Sequence, residues 1–235
     1  DQTLGAVMDT RILAIDMGDS GTLTFSGTGG SSVLDAIDDV TPTAGEEAWD
    51  DVTGATAANG GTGGGNMFHY SNSSLMDGVT VDVSYVPSGA SQAEGSIDYG
   101  VSYTGIDGLT VGMVAGETTA TAGAHADTTI LYANYAMDSF TVGYTTSEQD
   151  SETANSDVDF SAMGISYAVS DDLSVSLNTS ETEIEGLKDQ EAMGISASLV
   201  IGSMTLSANH NTVENVGGTD GKDRSGYAMG LSFAF

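Results

Sequence analysis

The segment Met193-Gly-Ile-Ser-Ala-Ser-Leu-Val-Ile-Gly-Ser-Met-Thr-Leu-Ser-Ala208 decides the fold class of this chain. Apolar side chains occupy every second position on both sides of Gly202-Ser203, and the positions between them hold mainly Gly, Ser and Thr. Such alternation is typical of a β-strand with one apolar and one polar face, and a Gly-Ser pair fits a tight turn. The segment therefore predicts two antiparallel strands joined by a short turn.

The same alternation recurs over most of the 235 residues. It predicts one strand at 11–17, one at 21–27 and eleven more between 66 and 235, which makes thirteen. The polar faces carry mostly Ser, Thr, Gly, Ala and Asn, with few of the long charged side chains that usually cover a soluble sheet. Small polar residues suit a crowded or water-filled interior, whereas a soluble antiparallel sandwich would bury its apolar faces in a core. The alternation alone leaves both architectures open.

The links between neighbouring strands alternate between short and long. The short links carry turn residues and are Gly18–Gly21, Met76–Gly78, Gly105–Gly108, Asp138–Ser139, Ser170–Asp172 and Gly202–Ser203. The long links are polar and cover 86–95, 116–128, 146–158, 178–190 and 209–224. A sandwich does not require this rule, but an outer-membrane barrel does, with short periplasmic turns and long external loops. The links therefore favour an all-β fold, a transmembrane antiparallel β-barrel.

The charge balance excludes several classes of function. Lys and Arg total 4 against 34 Asp and Glu, which gives a formal net charge of −30. Nucleic acid is therefore a poor partner, because phosphate binding needs clusters of Lys and Arg. The chain has no Cys, which excludes disulfides and thiol chemistry. No enzyme is expected, since His69, His125 and His210 lie far apart and no Gly-x-Ser-x-Gly or His-x-x-x-His motif occurs.

Aromatic residues cluster at one end of several predicted strands. If the C-terminus is periplasmic, the residues near the periplasmic strand ends are Tyr103, Tyr135, Phe140, Tyr167, Phe233 and Phe235. Such a row would form one of the interfacial aromatic girdles of a membrane barrel. Tyr and Phe also favour strands in general, but that preference explains a shared strand end less easily.

Four stretches of the chain carry a resemblance to one family. They are the alternating end Gly226-Tyr-Ala-Met-Gly-Leu-Ser-Phe-Ala-Phe235, the hairpin Asp16-Met-Gly-Asp-Ser-Gly-Thr-Leu-Thr-Phe25, the strandless segment 29–65, and Asn66–Pro87, which ends in Tyr85-Val-Pro. Together with the alternating links, they resemble the general (trimeric) porins of Gram-negative outer membranes, most closely the alphaproteobacterial type.

The resemblance implies a single barrel domain over 1–235, located in the cell outer membrane in contact with its lipid, and a homotrimer. It implies sixteen strands with residues 11–17 as the fourth, so that about three strands would precede this numbering; a smaller barrel of twelve or fourteen strands is the rival count. Tyr227, Phe233 and Phe235 resemble the signal read by the outer-membrane assembly machinery. Residues 29–65 correspond to the inward-folded constriction loop.

The segment 29–65 supplies the candidate site. A link of this length without strand pattern is uncommon and usually functional. A short helix in Ser32–Val40 would pack its apolar side on the barrel wall and aim its acids at the pore. Trp49, the only Trp, is a candidate anchor of the loop, with local packing as an equal alternative. The predicted constriction residues are Asp35, Asp38, Asp39, Glu46, Glu47, Asp50, Asp51 and His69.

Acids dominate this candidate constriction. In general porins the loop acids face wall Arg and Lys, but the only four such residues here are Arg11, Lys188, Lys222 and Arg224, of which the last three lie in or beside external loops. His69 stands where the family often has an inward Arg, or is a wall histidine with no special role. Because Asp and Glu rings favour cations, we predict a cation-preferring channel for passive diffusion of small hydrophilic solutes.

The sequence leaves two alternatives open. The acidity is also compatible with a solubility or high-salt adaptation, and a secreted acidic β-sandwich adhesin or surface-layer protein is the rival function. Acidic loops also bind Ca²⁺ through oxygen ligands, and Asp38, Asp39, Asp50 and Asp51 would allow such a site, although no EF-hand spacing occurs. No other cofactor is expected.

Overall fold

Thirteen antiparallel strands form a single sheet in chain order in the computed structural model. The structure describes residues 11–37, 39–50, 52–56, 66–87, 95–119 and 125–234. The strands are β1 (Arg11–Asp16), β2 (Thr22–Thr28), β3 (Met67–Met76), β4 (Val79–Val86), β5 (Ser96–Ile106), β6 (Leu109–Thr119), β7 (His125–Met137), β8 (Phe140–Ser151), β9 (Val158–Ala168), β10 (Leu173–Ile184), β11 (Gln190–Ile201), β12 (Met204–Glu214) and β13 (Arg224–Phe233). The predicted strand count is confirmed. Over the described residues, β1 and β13 are the two edges of the sheet.

The register of the sheet follows from the alternation of apolar residues. Leu177 on β10 lies opposite Ile195 on β11 and Ile165 on β9, so apolar side chains from neighbouring strands stand side by side. A shift of one residue would turn every side chain of a strand to the other face. The alternation therefore specifies the pairing as well as the strands.

The two faces of the sheet have opposite characters. On the outer face, Met163 and Met193 are 61% and 55% exposed, whereas Asn178 on the inner face is 2% exposed. Exposed apolar and buried polar side chains reverse the usual pattern of a soluble protein. They fit a sheet whose outer face meets lipid, as in an antiparallel membrane barrel. The soluble sandwich is therefore not favoured.

Short turns and longer links alternate along the sheet, as predicted. Asp138–Ser139 alone joins β7 to β8, and Gly78 and Gly108 adopt φ of 73° in the β3–β4 and β5–β6 turns, where the left-handed region favours glycine. The strands run further than the apolar alternation predicts, however. β8 reaches Ser151 and β10 reaches Ile184, inside the links expected at 146–158 and 178–190. Backbone pairing continues there between polar residues, so the external links are shorter than expected.

Acidic side chains replace apolar ones on the outer face near the long-link edge. Glu148, Asp159 and Glu183 are exposed and lie opposite one another on β8, β9 and β10. Carboxylates are costly in hydrocarbon, which places this row outside the apolar band of the outer face.

Aromatic side chains border the apolar band on two sides. Next to the short turns, Phe140 and Tyr167 stack with ring centroids 4.4 Å apart, at the end where the sequence places its aromatic girdle. A second row, which the sequence analysis missed, lies on the long-link side, where the Phe25 and Phe68 centroids are 5.2 Å apart and Tyr85 lies opposite Phe68. Two such rows are typical of membrane barrels.

Helical structure in the described residues consists of three 3₁₀ turns, Gly18–Ser20, Asp35–Ile37 and Val216–Gly218. None of the helices in the described part of the chain is long and apolar enough to cross a membrane. The predicted helix in Ser32–Val40 is thus a single turn, in which Ile37 N donates to Leu34 O at 3.1 Å.

A charged residue on the outer face is expected to destabilise the protein in a bilayer. Ile195 lies near the middle of β11 and is 57% exposed, so Ile195→Arg would place a guanidinium against hydrocarbon at a cost of about 2–4 kcal/mol. Urea unfolding in lipid vesicles measures this loss. The control is Ser207→Arg on the inner face of β12, which should lose far less. Equal losses in the two variants would contradict the assignment of the faces.

Candidate functional site

The link between β2 and β3, here called the β2–β3 loop, crosses the inner face of the sheet. Its described parts are 29–37, 39–50 and 52–56. Polar side chains on β4, β7, β10 and β11 bind its backbone, in the pairs Val33 N to Ser84 Oγ (3.0 Å), Asn134 Nδ2 to Val40 O (2.8 Å), Ala44 N to Ser176 Oγ (2.8 Å), Ala48 N to Asn178 Oδ1 (3.0 Å) and Thr56 N to Gln190 Oε1 (3.0 Å). The small polar residues of the inner face therefore satisfy the backbone of a buried, irregular segment.

Two apolar contacts anchor the β2–β3 loop to the wall. Near its start, Val33 and Leu34 are buried against Val114 and Ile130. Further on, Trp49 is 3% exposed and packs nearly edge-on against Phe160, with ring centroids 5.1 Å apart. The anchoring proposed for Trp49 is thus observed, and the hydrophobic core of this protein lies between loop and wall.

Two glycines form a seat for the β2–β3 loop between these anchors. Gly143 on β8 and Gly164 on β9 lie opposite each other, and Pro42 packs over both. A Cβ atom on Gly164 would come within 2.5 Å of Pro42 O and 2.8 Å of Thr41 Cγ2, closer than real Cβ contacts. The strand glycines on the inner face therefore allow the loop to lie directly on the sheet. The sequence feature that could have revealed this contact is the presence of glycine at inward-facing positions of β8 and β9.

The structure brings four of the predicted constriction acids together. Asp39, Glu46, Glu47 and Asp50 each offer a carboxylate oxygen, and these oxygens all lie within 4.8 Å of one another. Three of the four side chains are exposed, whereas Glu47 is buried. Asp35 is half-buried at the start of the 3₁₀ turn and stands apart from this group. Asp38 and Asp51 lie outside the described residues.

Glu47 is held beneath the exposed acids. Its side chain is 0% exposed, and Thr41 N donates to Oε1 at 3.2 Å. Burial raises the pKa of Glu47 to about 10, with further contributions from the charge of Asp50 and from the hydrogen bonds that Glu47 makes with Asp39 and Asp50. The backbone folds over this carboxylate between residues 41 and 47, a contact that no sequence pattern predicts.

His69 lies on the inner wall beside an acid. Its Nε2 is 3.2 Å from Asp82 Oδ1, and both side chains are half-buried. Asp98, also on the inner face, accepts a hydrogen bond from Ser84 Oγ at 3.0 Å. Neither Asp82 nor Asp98 is among the predicted constriction residues, although each stands between apolar residues on a strand and so points inward.

The cationic side chains lie at the margins of the sheet. Arg224 begins β13 and donates from Nη1 to Thr53 O at 2.9 Å, so it touches the β2–β3 loop instead of belonging only to the external links. Arg11 on β1 donates to Thr28 Oγ1 at 2.8 Å. Lys188 and Lys222 lie in the links after β10 and β12.

The residues of the predicted assembly signal lie at the edge of the sheet. Tyr227 and Phe233 are exposed on β13, and Phe235 lies outside the described residues. Their role in assembly stays a prediction.

Comparison of the sequence with models of protein families agrees with the fold and the inward loop. The model of the Gram-negative porin family matches residues 12–186. This chain belongs to the Gram-negative porin family. The family resemblance read from the sequence is thereby confirmed, and the porin is located in the outer membrane. No individual curated protein matches its sequence.

Solved porin structures share this fold. The anion-selective porin from Comamonas acidovorans matches with a TM-score of 0.73 and 14% identity over 96% of this chain and 77% of that one. OmpF of Salmonella typhi, solved with daunomycin, matches with a TM-score of 0.71 and 13% identity over 95% and 77%. A mutant porin of Rh. blastica matches with a TM-score of 0.66 and 14% identity over 100% and 80%. At these identities the likeness establishes the shared fold.

Porin membership fixes the broad class of activity. The protein is an outer-membrane, channel-forming β-barrel, and membership favours a passive channel over an enzyme. The secreted adhesin is not favoured, because its core would have to contain the apolar faces that this porin turns outward.

Proposed function

We propose that this porin forms a water-filled, cation-preferring channel for passive diffusion of small hydrophilic solutes. The proposal rests on the position of Asp39, Glu46 and Asp50, which are exposed on a loop whose backbone is hydrogen-bonded to the inner wall. Carboxylates beside a narrow water path with low-dielectric walls concentrate cations and repel anions.

The inner wall supports the same preference. Asp82 adds a half-buried carboxylate on β4, and the inner side chains of Ser84, Ser176 and Asn178 that bind the loop are neutral. Arg224 touches the loop at Thr53, so it brings one positive charge to the margin of the acidic region. One such charge leaves the acids in excess.

The anion selectivity of the Comamonas porin does not transfer with its fold. Selectivity depends on the charged side chains that line the water path, and one fold accepts many different sets of them. At 14% identity the shared backbone leaves the lining charges of the two proteins independent.

Ion selectivity in a planar bilayer tests the proposal. With purified porin separating two KCl solutions of unequal concentration, the reversal potential is expected to have the sign set by K⁺ flow down its gradient. Its magnitude should fall as the total salt rises, because salt screens the field of the acids. A reversal potential of the opposite sign would refute the charge argument while leaving the channel itself intact.

The homotrimer is part of the same proposal. It rests on the resemblance to the trimeric porins, and migration on a denaturing gel tests it. An unheated sample should run as a species three times the mass of the 23.8 kDa chain, and heating should convert it to the monomer.

A further inference from the structure

The side chain of Gln190 joins the end of the β2–β3 loop to the link between β12 and β13. Gln190 is the first residue of β11 and is 0% exposed. Its Oε1 accepts hydrogen bonds from Thr56 N and from Gly217 N, each at 3.0 Å. Its Nε2 donates to Thr56 O at 2.9 Å and to Thr182 Oγ1 at 3.4 Å. The amide therefore uses both of its N–H groups and both lone pairs of its oxygen.

Thr182 completes this hydrogen-bond network from the neighbouring strand. It lies opposite Gln190 on β10, is 0% exposed, and donates from Oγ1 to Thr56 O at 3.0 Å. The backbone N–H and C=O of Thr56 are thus both bound to side chains of the wall. Displacement of the loop would leave the buried polar groups of Gln190 and Thr182 unpaired, which is costly. These two side chains, here called the Gln190 clasp, therefore fix the end of the loop.

The β12–β13 link is folded so that it reaches the Gln190 clasp. Its 3₁₀ turn, Val216–Gly218, presents Gly217 N to the amide. Val216 is 0% exposed and belongs to the same apolar cluster as Trp49 of the loop. Asn215 holds the link in shape, because its Oδ1 accepts from Gly221 N at 3.0 Å. The link is thus a folded unit that contacts both the clasp and the anchor of the loop.

The Gln190 clasp acts between links and not within the strand ladder. Thr56 and Gly217 lie 134 and 27 positions away from Gln190 in the sequence, and both belong to links. The pairing of β10 with β11 uses backbone groups instead. Loss of the side-chain amide is therefore expected to free the two links and to leave the sheet paired.

We propose that Gln190 is a positioning residue of the channel, which couples the β2–β3 loop to the external β12–β13 link. Because one amide binds both backbones, a movement of the link also moves the end of the loop. The width of the channel then depends on an external link as well as on the loop itself. The effect on conductance rests on the proposed function, in which the loop borders a narrow water path, but the coupling itself does not.

Hydrogen exchange of the full chain, refolded in detergent, tests the coupling. Gln190→Leu is close in size but removes the hydrogen bonds, so amide exchange at residues 52–56 and 215–223 is expected to rise at least about tenfold. Exchange within β10 and β11 should stay as in the unmodified porin. Thr182→Val is the second variant if Gln190→Leu fails to refold. Thr182→Ser retains the hydroxyl and should exchange as the unmodified porin does.

Single-channel recordings in planar bilayers test the consequence for the channel. The mean conductance of Gln190→Leu and Thr182→Val is expected to exceed the spread among channels of the unmodified porin, whereas Thr182→Ser should conduct normally. Gln149→Leu is the matched control, because Gln149 Nε2 donates to Thr128 Oγ1 of the wall at 3.3 Å. This control should also conduct normally.

A double variant tests whether the link acts through the Gln190 clasp. Asn215→Ala removes the hydrogen bond to Gly221 N and so loosens the link. It should raise the conductance of the otherwise unmodified porin, but it should add little in Gln190→Leu, where the coupling is already lost. Fully additive effects of the two substitutions would overturn the proposal.

The remaining outcomes separate the coupling from the proposed function. Unchanged exchange in both Gln190→Leu and Thr182→Val, or faster exchange at 52–56 alone, would overturn the coupling. Normal conductance in both clasp variants, together with raised conductance in Trp49→Ala, would overturn the positioning role of Gln190. The sign of the reversal potential has no part in this test, so an anion-preferring channel would refute the proposed function and leave the coupling standing.

Discussion

Removing three exposed loop charges together, in the variant D39N/E46Q/D50N, is expected to lower the cation-to-anion permeability ratio by about tenfold, the lower end of what a focused field contributes to local ion concentration. The three side chains are exposed members of the group on the β2–β3 loop, and their oxygens lie within 4.8 Å of one another. Their fields add in the same water path, so single variants should change selectivity less than the triple variant. The reversal potential in KCl with EGTA measures the effect and should move toward zero.

The control for this experiment removes the same charge from the outside of the barrel. In E148Q/D159N/E183Q, three exposed acids that lie opposite one another on β8, β9 and β10 become neutral, so the net charge changes equally. These acids stand on the outer face, where the wall and salt screen them from the lumen. The control should keep the selectivity of the unmodified porin. Equal shifts in both triple variants would mean that total charge, not the loop, sets selectivity.

Truncation of Trp49 is expected to detach part of the β2–β3 loop and to raise the mean single-channel conductance. Trp49 is 3% exposed against Phe160, and removal of a buried Trp side chain costs about 3–5 kcal/mol. The strand ladder does not depend on this contact, so local release of the loop absorbs the loss. A loss of this size changes the ratio of released to bound loop more than about a hundredfold. Bilayer recordings of Trp49→Ala should show larger and noisier openings.

Two further variants show whether the loop is responsible. Trp49→Phe keeps most of the packing and should conduct nearly as the unmodified porin does. Gly164→Val acts at the glycine seat, where even a Cβ atom would meet Pro42 O at 2.5 Å, and should also displace the loop. Gly226→Val is its matched control, because a Cβ at Gly226 meets nothing within 4 Å. Unchanged conductance in both Trp49→Ala and Gly164→Val would argue against a loop that limits the channel.

The strands could be predicted from the sequence because alternation is local. Leu177, Ile165 and Ile195 each obey a period of two, and the requirement that their apolar sides share a face then fixes the pairing. Where the outer face turns polar, as at Glu148 and Glu183, alternation no longer marks the strand, and the predicted ends stopped short. Backbone hydrogen bonding continues there without help from apolar side chains.

The path of the β2–β3 loop could not be predicted in the same way. Its acids were visible in the sequence, but which of them meet depends on long-range contacts, such as Ala48 N with Asn178. Glu47 is buried because the chain folds back at Thr41. Asp82 points inward from β4, outside the loop that holds most of the predicted constriction residues. Composition identifies the charges, whereas packing decides where they point.

Pro42 packs directly on Gly143 and Gly164, so two segments that are far apart in the sequence restrict which residues the other can carry. A longer or bulkier loop grafted from another porin would clash with this wall, because Gly143 and Gly164 leave space only for the native loop backbone. To change the pore diameter of this porin, the β2–β3 loop and the wall glycines beneath it therefore have to be exchanged together. Natural variation at residues 41–43 should accordingly be accompanied by variation at residues 143 and 164.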